Sequence, residues 1–250
     1  MVRNILQIII FLSIILSCKK KSKDSEPEPT PAATTTGGQP ASTYHGMFEA
    51  EKYLYWWGGN SIVSFYQCKC WLNASGKTEV LLNSYGENLG IVQSNSLQLK
   101  YDGTLKMYMD STSTLSYSNV ISFQHNSNAL GNINFTNQDT FPRFLPSLAQ
   151  NLNDTVYKNQ NYSVPLNGLT YFNEITAIFS STVNLFVYVG KTVSFGASEV
   201  LFTPNELSAL PSNSPGMLRI VLRKFNYQNL NGKNYRFAAV SMNDFVIYIK

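Results

Sequence analysis

The sequence is poor in the residues that bind metals. Among its 250 residues are three cysteines and two histidines. A zinc site usually has four ligands drawn from cysteine, histidine and carboxylates, and neither His45 nor His125 is spaced from Cys68 and Cys70 as a metal ligand would be. We therefore expect no metal. No glycine-rich phosphate loop or dinucleotide fingerprint is present to indicate a cofactor.

Charge is also scarce. Charged residues make up 14% of the chain, and the formal net charge is +4. Five of the basic groups and three of the acidic ones lie before residue 44, which leaves 14 basic and 12 acidic groups in the rest. A nucleic-acid partner requires a concentrated basic face, so we expect none.

The sequence has no helical periodicity longer than about two turns by the usual spacing rule. Aromatic residues reach 13%, and Tyr, Phe, Ser, Thr, Asn and Val dominate. Branched and aromatic side chains fit the pleated surface of a sheet. The composition therefore predicts an all-β protein.

The N-terminus has the features of an export signal. Arg3 precedes an apolar run from residue 5 to 16, which is shorter than the ~20 residues that span a bilayer. A membrane helix that stays attached is the alternative. The order Ile15-Leu16-Ser17-Cys18 resembles the bacterial lipobox. This resemblance implies a signal peptide over residues 1–17 and a diacylglycerol on the Cys18 thiol.

The next segment predicts a tether. Four lysines between residues 19 and 23 can attract anionic headgroups or serve as solvated spacer, and prolines, glycines and acids follow. This composition cannot form a core, so we expect residues 18–43 to be a disordered tether. In some bacteria an aspartate after the lipidated cysteine retains the protein at the inner membrane. Lys19 stands there instead, which favours the outer membrane and leaves periplasmic or surface orientation open.

From residue 44 onward, strands and turns recur about every ten residues, as in β-sandwiches. Pro142 and Pro146 interrupt the alternation, and two prolines this close do not fit a central strand. We place a boundary there. The prediction is two consecutive immunoglobulin-like antiparallel β-sandwich domains, residues 44–140 and 141–250. Thr203, Pro204 and Glu206 predict one short helix over residues 204–210.

Several segments resemble cell-envelope lipoproteins of Bacteroidota-type bacteria. They are Cys18 with its tether, Leu89–Val92 with Leu97–Leu99, Phe141-Pro142, Phe195–Leu210 and Arg219–Leu222. The resemblance implies a two-part immunoglobulin-like body in the cell envelope and adds no catalytic residues. It supports a non-enzymatic binding or structural role, with an envelope protein or polysaccharide as partner and the membrane reached through the lipid on Cys18.

An aromatic cluster gives an alternative function. Tyr53, Tyr55, Trp56 and Trp57 precede Gly58-Gly59-Asn60, and adjacent tryptophans cannot both point into one core from a regular strand. Exposed rings can stack on sugars, which suggests a glycan-binding accessory lipoprotein. The alternative is that these rings pack in the core.

Two further interpretations stay open. Cys68 and Cys70 lie on one strand face, and the distance between them is near the limit for a disulfide. They are either bridged or free, and free cysteines would pack as small buried side chains. A glycoside or other hydrolase would need a placed carboxylate pair, and Glu49 and Glu51 share one strand face. No spacing singles them out, so we predict no catalytic residue.

Overall fold

The computed structural model describes residues 40–57, 60–110, 117, 120–137, 141–144, 146–167, 169–170, 172–183 and 187–250. The side chains of residues 55–57, 60–64, 146, 147, 150 and 170 are not described. The predicted signal peptide, Cys18 and the tether up to residue 39 lie outside these ranges.

In the described ranges, no helix combines the length and the apolar character needed to cross a membrane.

The described chain is predominantly β, as the composition predicts. The strands are β1 (Tyr44–Trp57), β2 (Asn60–Lys77), β3 (Ile91–Ser94), β4 (Leu97–Asp102), β5 (Met107–Met109), β6 (Ile121–Ser127), β7 (Gly131–Asn137), β8 (Arg143–Phe144), β9 (Thr155–Val156), β10 (Tyr162–Pro165), β11 (Leu169–Thr170), β12 (Glu174–Ser181), β13 (Tyr188–Ser194), β14 (Glu199–Phe202), β15 (Ser214–Leu230) and β16 (Lys233–Ile249). The short helices are α1 (Glu79–Leu82), α2 (Pro146–Asn151) and α3 (Pro204–Leu207).

One large sheet organises the described chain. Its strand order is β13-β12-β15-β16-β1-β2-β5-β4-β3-β6-β7. Most neighbours are antiparallel, but β1 runs parallel to β16 along ten residue pairs from Gly46 to Tyr55. β9 also pairs with β16 in parallel, at the C-terminal end of β16. Two smaller pairs, β10-β14 and β8-β11, lie outside this sheet.

The longest hairpin, β15-β16, runs through the centre of the sheet. Asn231 and Gly232 form its two-residue turn, and both have positive φ, at 55° and 74°. The pair Asn-Gly in a sequence predicts a two-residue hairpin turn, and a type I′ turn requires positive φ at both positions. The structure confirms this prediction for Asn231-Gly232. The residue pattern of the last segment predicts two separate strands, at 235–241 and 245–249. This prediction is wrong, because β16 continues without a break from Lys233 to Ile249.

Two apolar cores form on the same face of the long strands. Phe237 and Ala239 of β16 pack in the first, with Phe48 and Phe123. The second collects Phe245, Ile247 and Ile249 from the other end of β16. Side chains alternate across a strand, so odd positions of β16 point to this face throughout. Buried Ser241 and Asn243 lie between the two cores.

Strands β3 to β7 fold back over the first core. Phe135 of β7 stacks on Phe237, with ring centroids 3.7 Å apart. Phe123 of β6 packs against Phe48 at 5.2 Å. The inner face of these strands therefore forms the second layer of the first core, and their other face points away from it.

The prediction of two consecutive immunoglobulin-like domains divided at residue 141 is not confirmed. Each predicted half supplies most of one core, but β1 and β2 from the first half join the same sheet as β15 and β16 from the second. All described residues also belong to one compact unit. The long strands are shared, so the boundary does not separate two sheets.

Two local predictions have different outcomes. Thr203 caps α3: its hydroxyl accepts from the Glu206 amide, and the Glu206 side chain accepts from the Thr203 amide. The capping box is confirmed, although the helix ends at Leu207. The turn residues Ala74-Ser75-Gly76 predict that a new strand follows over residues 77–83. This prediction is wrong, because β2 runs on to Lys77 and α1 follows.

Candidate functional site

Strands β3, β4, β6 and β7 present a row of amide side chains to solvent. Val92, Phe123 and Ile133 point into the first core, so their neighbours along each strand point outward. We call this outward surface the amide face. It consists of Gln93, Gln98, Gln124, Asn126, Asn132 and Asn134.

Strand register places these amides side by side. Gln98 pairs with Gln93, Gln93 with Gln124, and Gln124 with Asn134. These four side chains form one line across four neighbouring strands. A second, shorter line begins at Ile91, continues through Asn126 and ends at Asn132. Strands lie about 4.8 Å apart, so the first line repeats an amide at that interval and the second places two amides beside Ile91.

An open pocket of about 540 Å³ lies over this surface. Five amides line it, together with Ile91 and His125: Gln93, Gln124, Asn126, Asn132 and Asn134. Ligand pockets in proteins commonly have about 300–1,000 Å³. Among the described residues that line it there is no Lys, Arg, Asp or Glu. We call this pocket the amide groove, and its described lining carries no formal charge.

The amides of the groove are not used within the protein. Across the described ranges, their side chains make no hydrogen bond to another protein group. Asn and Gln are not typical residues of strands, and Asn in particular is depleted there. Exposed polar side chains elsewhere in the sheet do bond within the protein. On β12 and β13, the hydroxyls of Thr176 and Thr192 hydrogen-bond to each other at 2.9 Å. The amide face therefore combines an unfavourable strand composition with unused donors and acceptors.

His125 lies beneath the groove in the neutral form. The Leu130 amide donates to the Ser127 hydroxyl at 3.1 Å. Ser127 Oγ lies 2.9 Å from His125 Nε2, and His125 Nδ1 lies 2.9 Å from the Ile91 carbonyl oxygen. A carbonyl can only accept, so Nδ1 carries the proton and Nε2 accepts from Ser127. Burial lowers the pKa of His125, and its bond to the Ile91 carbonyl opposes this shift.

The aromatic cluster is only partly described. Tyr53 stacks on Phe65, with centroids 4.2 Å apart, and donates its hydroxyl proton to Glu51 at 3.1 Å. One ring face and the hydroxyl of Tyr53 thus contact the protein itself. Tyr55, Trp56 and Trp57 continue β1, but their side chains lie outside the description. The sugar-stacking hypothesis for these three residues stays a prediction.

Glu49 and Glu51 lie on the face of the sheet opposite the cores. Lys69 Nζ lies 2.8 Å from the Glu51 carboxylate, and Arg236 donates to Glu49 at 2.9 Å. Burial raises the pKa of Glu51, and Lys69 opposes this rise. Lys69 is the cation beside Glu51, and Arg236 pairs with both Glu49 and Glu79. Each of the two strand carboxylates is therefore held by a cation, which compensates its partly buried charge.

The two remaining cysteines are free and fully buried. Burial raises the pKa of the Cys68 thiol to about 12, and hydrogen bonds to Ser94 and Tyr117 oppose the rise. The pKa of Cys70 is also raised by burial. A thiol is reactive as thiolate, so both residues behave as small core side chains.

In the described part of the chain, no three metal-binding side chains come together. Cys18, the predicted lipidation site, lies outside that part.

Sequence reasoning missed the amide face. The signal was present as an alternation of amides with apolar residues, in Asn132-Ile133-Asn134-Phe135 and in Phe123-Gln124-His125-Asn126. An ordinary strand exposed on one side has the same period, so alternation alone does not reveal a site. The additional signal was that the outward residue is repeatedly an amide.

No protein-family model matches this sequence, and no curated protein is significantly similar to it.

Proposed function

We propose that this chain is a lipid-anchored protein of the bacterial outer membrane with a non-enzymatic binding role. Cys18 would carry the lipid, residues 18–43 would act as the tether, and the β body would present the amide groove. In this proposal the two cores correspond to two immunoglobulin-like halves that share the long strands of the central sheet.

The amide groove is the observation that carries the binding role. It is an open pocket of about 540 Å³, and the five amide side chains that line it make no hydrogen bond to another protein group in the described ranges. Unused amides can both donate to and accept from a ligand. The carboxylates of Glu49 and Glu51 support a non-enzymatic role, because each is held in an ion pair with a neighbouring cation.

The anchor is tested by metabolic labelling of the producing cells with radioactive palmitate. Wild-type protein should incorporate the label, and a Cys18→Ala variant should not. A Cys68→Ala variant is the control, since Cys68 is buried and free. Equal labelling of wild type and Cys18→Ala would contradict the anchor.

The binding role is tested by sedimentation. Full-length protein in a non-ionic detergent is mixed with detergent-insoluble cell-envelope material and centrifuged. Wild-type protein should sediment with this material, and a Gln124→Ala, Asn134→Ala double variant should remain in solution. Retention of the double variant at the wild-type level would contradict a role for the groove.

A further inference from the structure

The composition of the amide groove indicates the charge of its ligand. Carboxylates and phosphates are recognised by Arg and Lys, whose cationic donors match them. The groove has amides in place of those cations, and neutral His125 lies below them. An ionic ligand would meet no counter-charge among the described lining residues. The ligand that fits is therefore uncharged.

The chemistry of the amides indicates the polar groups of the ligand. Each amide offers two N–H donors and a carbonyl acceptor. A hydroxyl group is also donor and acceptor at once, so neighbouring amides can bind a set of hydroxyls whichever way their protons point. Ile91, whose side chain is 57% exposed, lies beside Asn126 and offers an apolar contact to C–H groups.

The spacing of the amides indicates a repeating ligand. Gln93, Gln124 and Asn134 follow one another on successive strands, at intervals of about 4.8 Å. This line runs across the strands and ends on β7, the last strand in the described sheet order. A long ligand lying along the line could therefore extend past β7.

We propose that the amide groove binds a neutral carbohydrate chain laid across β3, β6 and β7. Hydroxyls of successive sugar units contact Gln93, Gln124 and Asn134, and Ile91 contacts the C–H face of a ring. This inference rests on the proposed binding function and specifies its ligand. It places carbohydrate on a different surface from Tyr53, whose hydroxyl is bonded to Glu51.

A peptide is the main competitor as a ligand. Peptides that add to a sheet do so through backbone bonds at an open strand edge. Such a peptide would use the backbone of β7 and would not need the side chains of Gln93 or Gln124, which lie on inner strands. Sensitivity to substitution on β6 therefore distinguishes a carbohydrate on the face from a peptide on the edge.

The test is calorimetric titration of the full-length protein with neutral glucan, mannan and xylan, and with anionic polygalacturonate. The detergent must be a polyoxyethylene ether, because a sugar-based detergent would compete. The wild-type chain should bind at least one neutral polysaccharide, with an affinity insensitive to added salt. Electrostatic binding would weaken as salt screens it.

Variants locate the site. Gln124→Ala with Asn134→Ala should weaken binding about tenfold, which corresponds to about 1.4 kcal/mol, because two neighbouring hydrogen-bonding side chains are lost. Gln160→Ala, an exposed glutamine in the loop between β9 and β10, should have no effect. Circular dichroism and thermal unfolding check that the variants fold.

The outcomes separate this inference from the proposed function. Groove-dependent sedimentation with envelope material, combined with no binding of any neutral polysaccharide, would overturn the carbohydrate ligand and leave the binding function intact. Sedimentation that does not depend on the groove, combined with no binding of any neutral polysaccharide, would overturn both the binding function and the carbohydrate ligand. Binding of polygalacturonate alone, or neutral binding that survives the double substitution, would also overturn the carbohydrate assignment at this groove.

Discussion

His125 shows how one buried side chain supports the amide face from below. Its ring links the Ile91 carbonyl on β3 to Ser127 at the end of β6. The Ile91 carbonyl requires a proton on Nδ1, and burial disfavours a second proton on Nε2 by lowering the pKa of His125. With Nε2 unprotonated, the Ser127 hydroxyl can donate to Nε2 while its oxygen accepts from the Leu130 amide. The neutral ring is therefore the form that fits.

This arrangement predicts a pH dependence of stability. The folded-state pKa of His125 is lowered by burial, below the value of about 6.5 for an unfolded histidine. The unfolded chain therefore binds the proton first, and the stabilising effect of the neutral ring is lost as pH falls below about 6.5. Between pH 7 and pH 5, the free energy of unfolding measured by urea titration should fall less for His125→Gln than for wild type. An equal fall in the two proteins would contradict a stabilising role for the neutral His125 ring.

Arg236 stabilises the opposite face of the sheet. It is 4% exposed, contacts Glu49 at 2.9 Å and lies over the Phe225 ring at 4.8 Å. Removing one partner of a buried pair leaves an uncompensated charge, at about 3–5 kcal/mol. Arg236→Leu should lower the free energy of unfolding, measured by urea titration, by about that amount.

The double-variant cycle is the control for Arg236. Arg236 also pairs with Glu79, whose side chain is half exposed. Adding Glu49→Gln removes the more buried of the two charges that Arg236→Leu leaves unpaired, so the double variant should be more stable than Arg236→Leu alone. If the double variant lost as much unfolding free energy as the two single variants added together, a direct pairing of Arg236 with Glu49 would be contradicted.

At the scale of elements, two turns that contain glycine differ in whether they require its positive φ. Gly232 has φ of 74° in the β15-β16 turn, and no atom lies within 4 Å of the position a Cβ would take. Gly103 also has open space around it, but it does not have positive φ. Gly232→Ala should therefore lower the unfolding free energy by roughly 1 kcal/mol, through backbone conformation alone. Gly103→Ala should leave the unfolding free energy almost unchanged. Urea titration of both variants measures this difference.

The same two turns show what sequence could and could not predict. Both Asn231-Gly232 and Asp102-Gly103 fit a two-residue hairpin. In the second, the Asp102 carboxylate accepts from the Thr104 and Leu105 amides, at 2.8 and 2.9 Å. These bonds stabilise a longer loop, and positive φ falls on Lys106. The hairpin was predictable from the pair of residues, and the loop type depended on the neighbours of Asp102.

Predictability also falls with sequence distance. The cap formed by Thr203 and Glu206 is local and was predicted. The parallel pairing of β1 with β16 joins Phe48 to Phe237, and no local pattern specifies that partner. The amide face is intermediate, because its alternation is local but its line across four strands depends on register. The prolines that indicate a division at residue 141 are local signals. The sharing of the long strands depends on residues far apart in the sequence, and no local signal indicates it.

At the scale of the whole molecule, the shared strands couple the two cores. Phe237 packs in the first core and Leu218 in the second, on two strands that pair along their whole length. Separate unfolding of either core would break the hairpin between them. The described body should therefore unfold in one cooperative step.

Two substitutions test this coupling. Phe237→Ala should cost about 3–5 kcal/mol and Leu218→Ala about 2–5 kcal/mol. Both should shift a single urea transition, with the same midpoint by fluorescence and by circular dichroism. A two-step curve for Phe237→Ala, with one step at the wild-type midpoint, would contradict the coupling.

Carbohydrate binding by the amide face can be observed at the amide side chains themselves. The measurement follows the side-chain NH₂ resonances of asparagine and glutamine by ¹⁵N NMR while a neutral polysaccharide is added. We expect the resonances of Gln93, Gln124 and Asn134 to shift together and saturate, while that of Gln160 does not move. Saturable binding that shifts backbone amides elsewhere and leaves those three side chains unchanged would show that the carbohydrate binds at another surface.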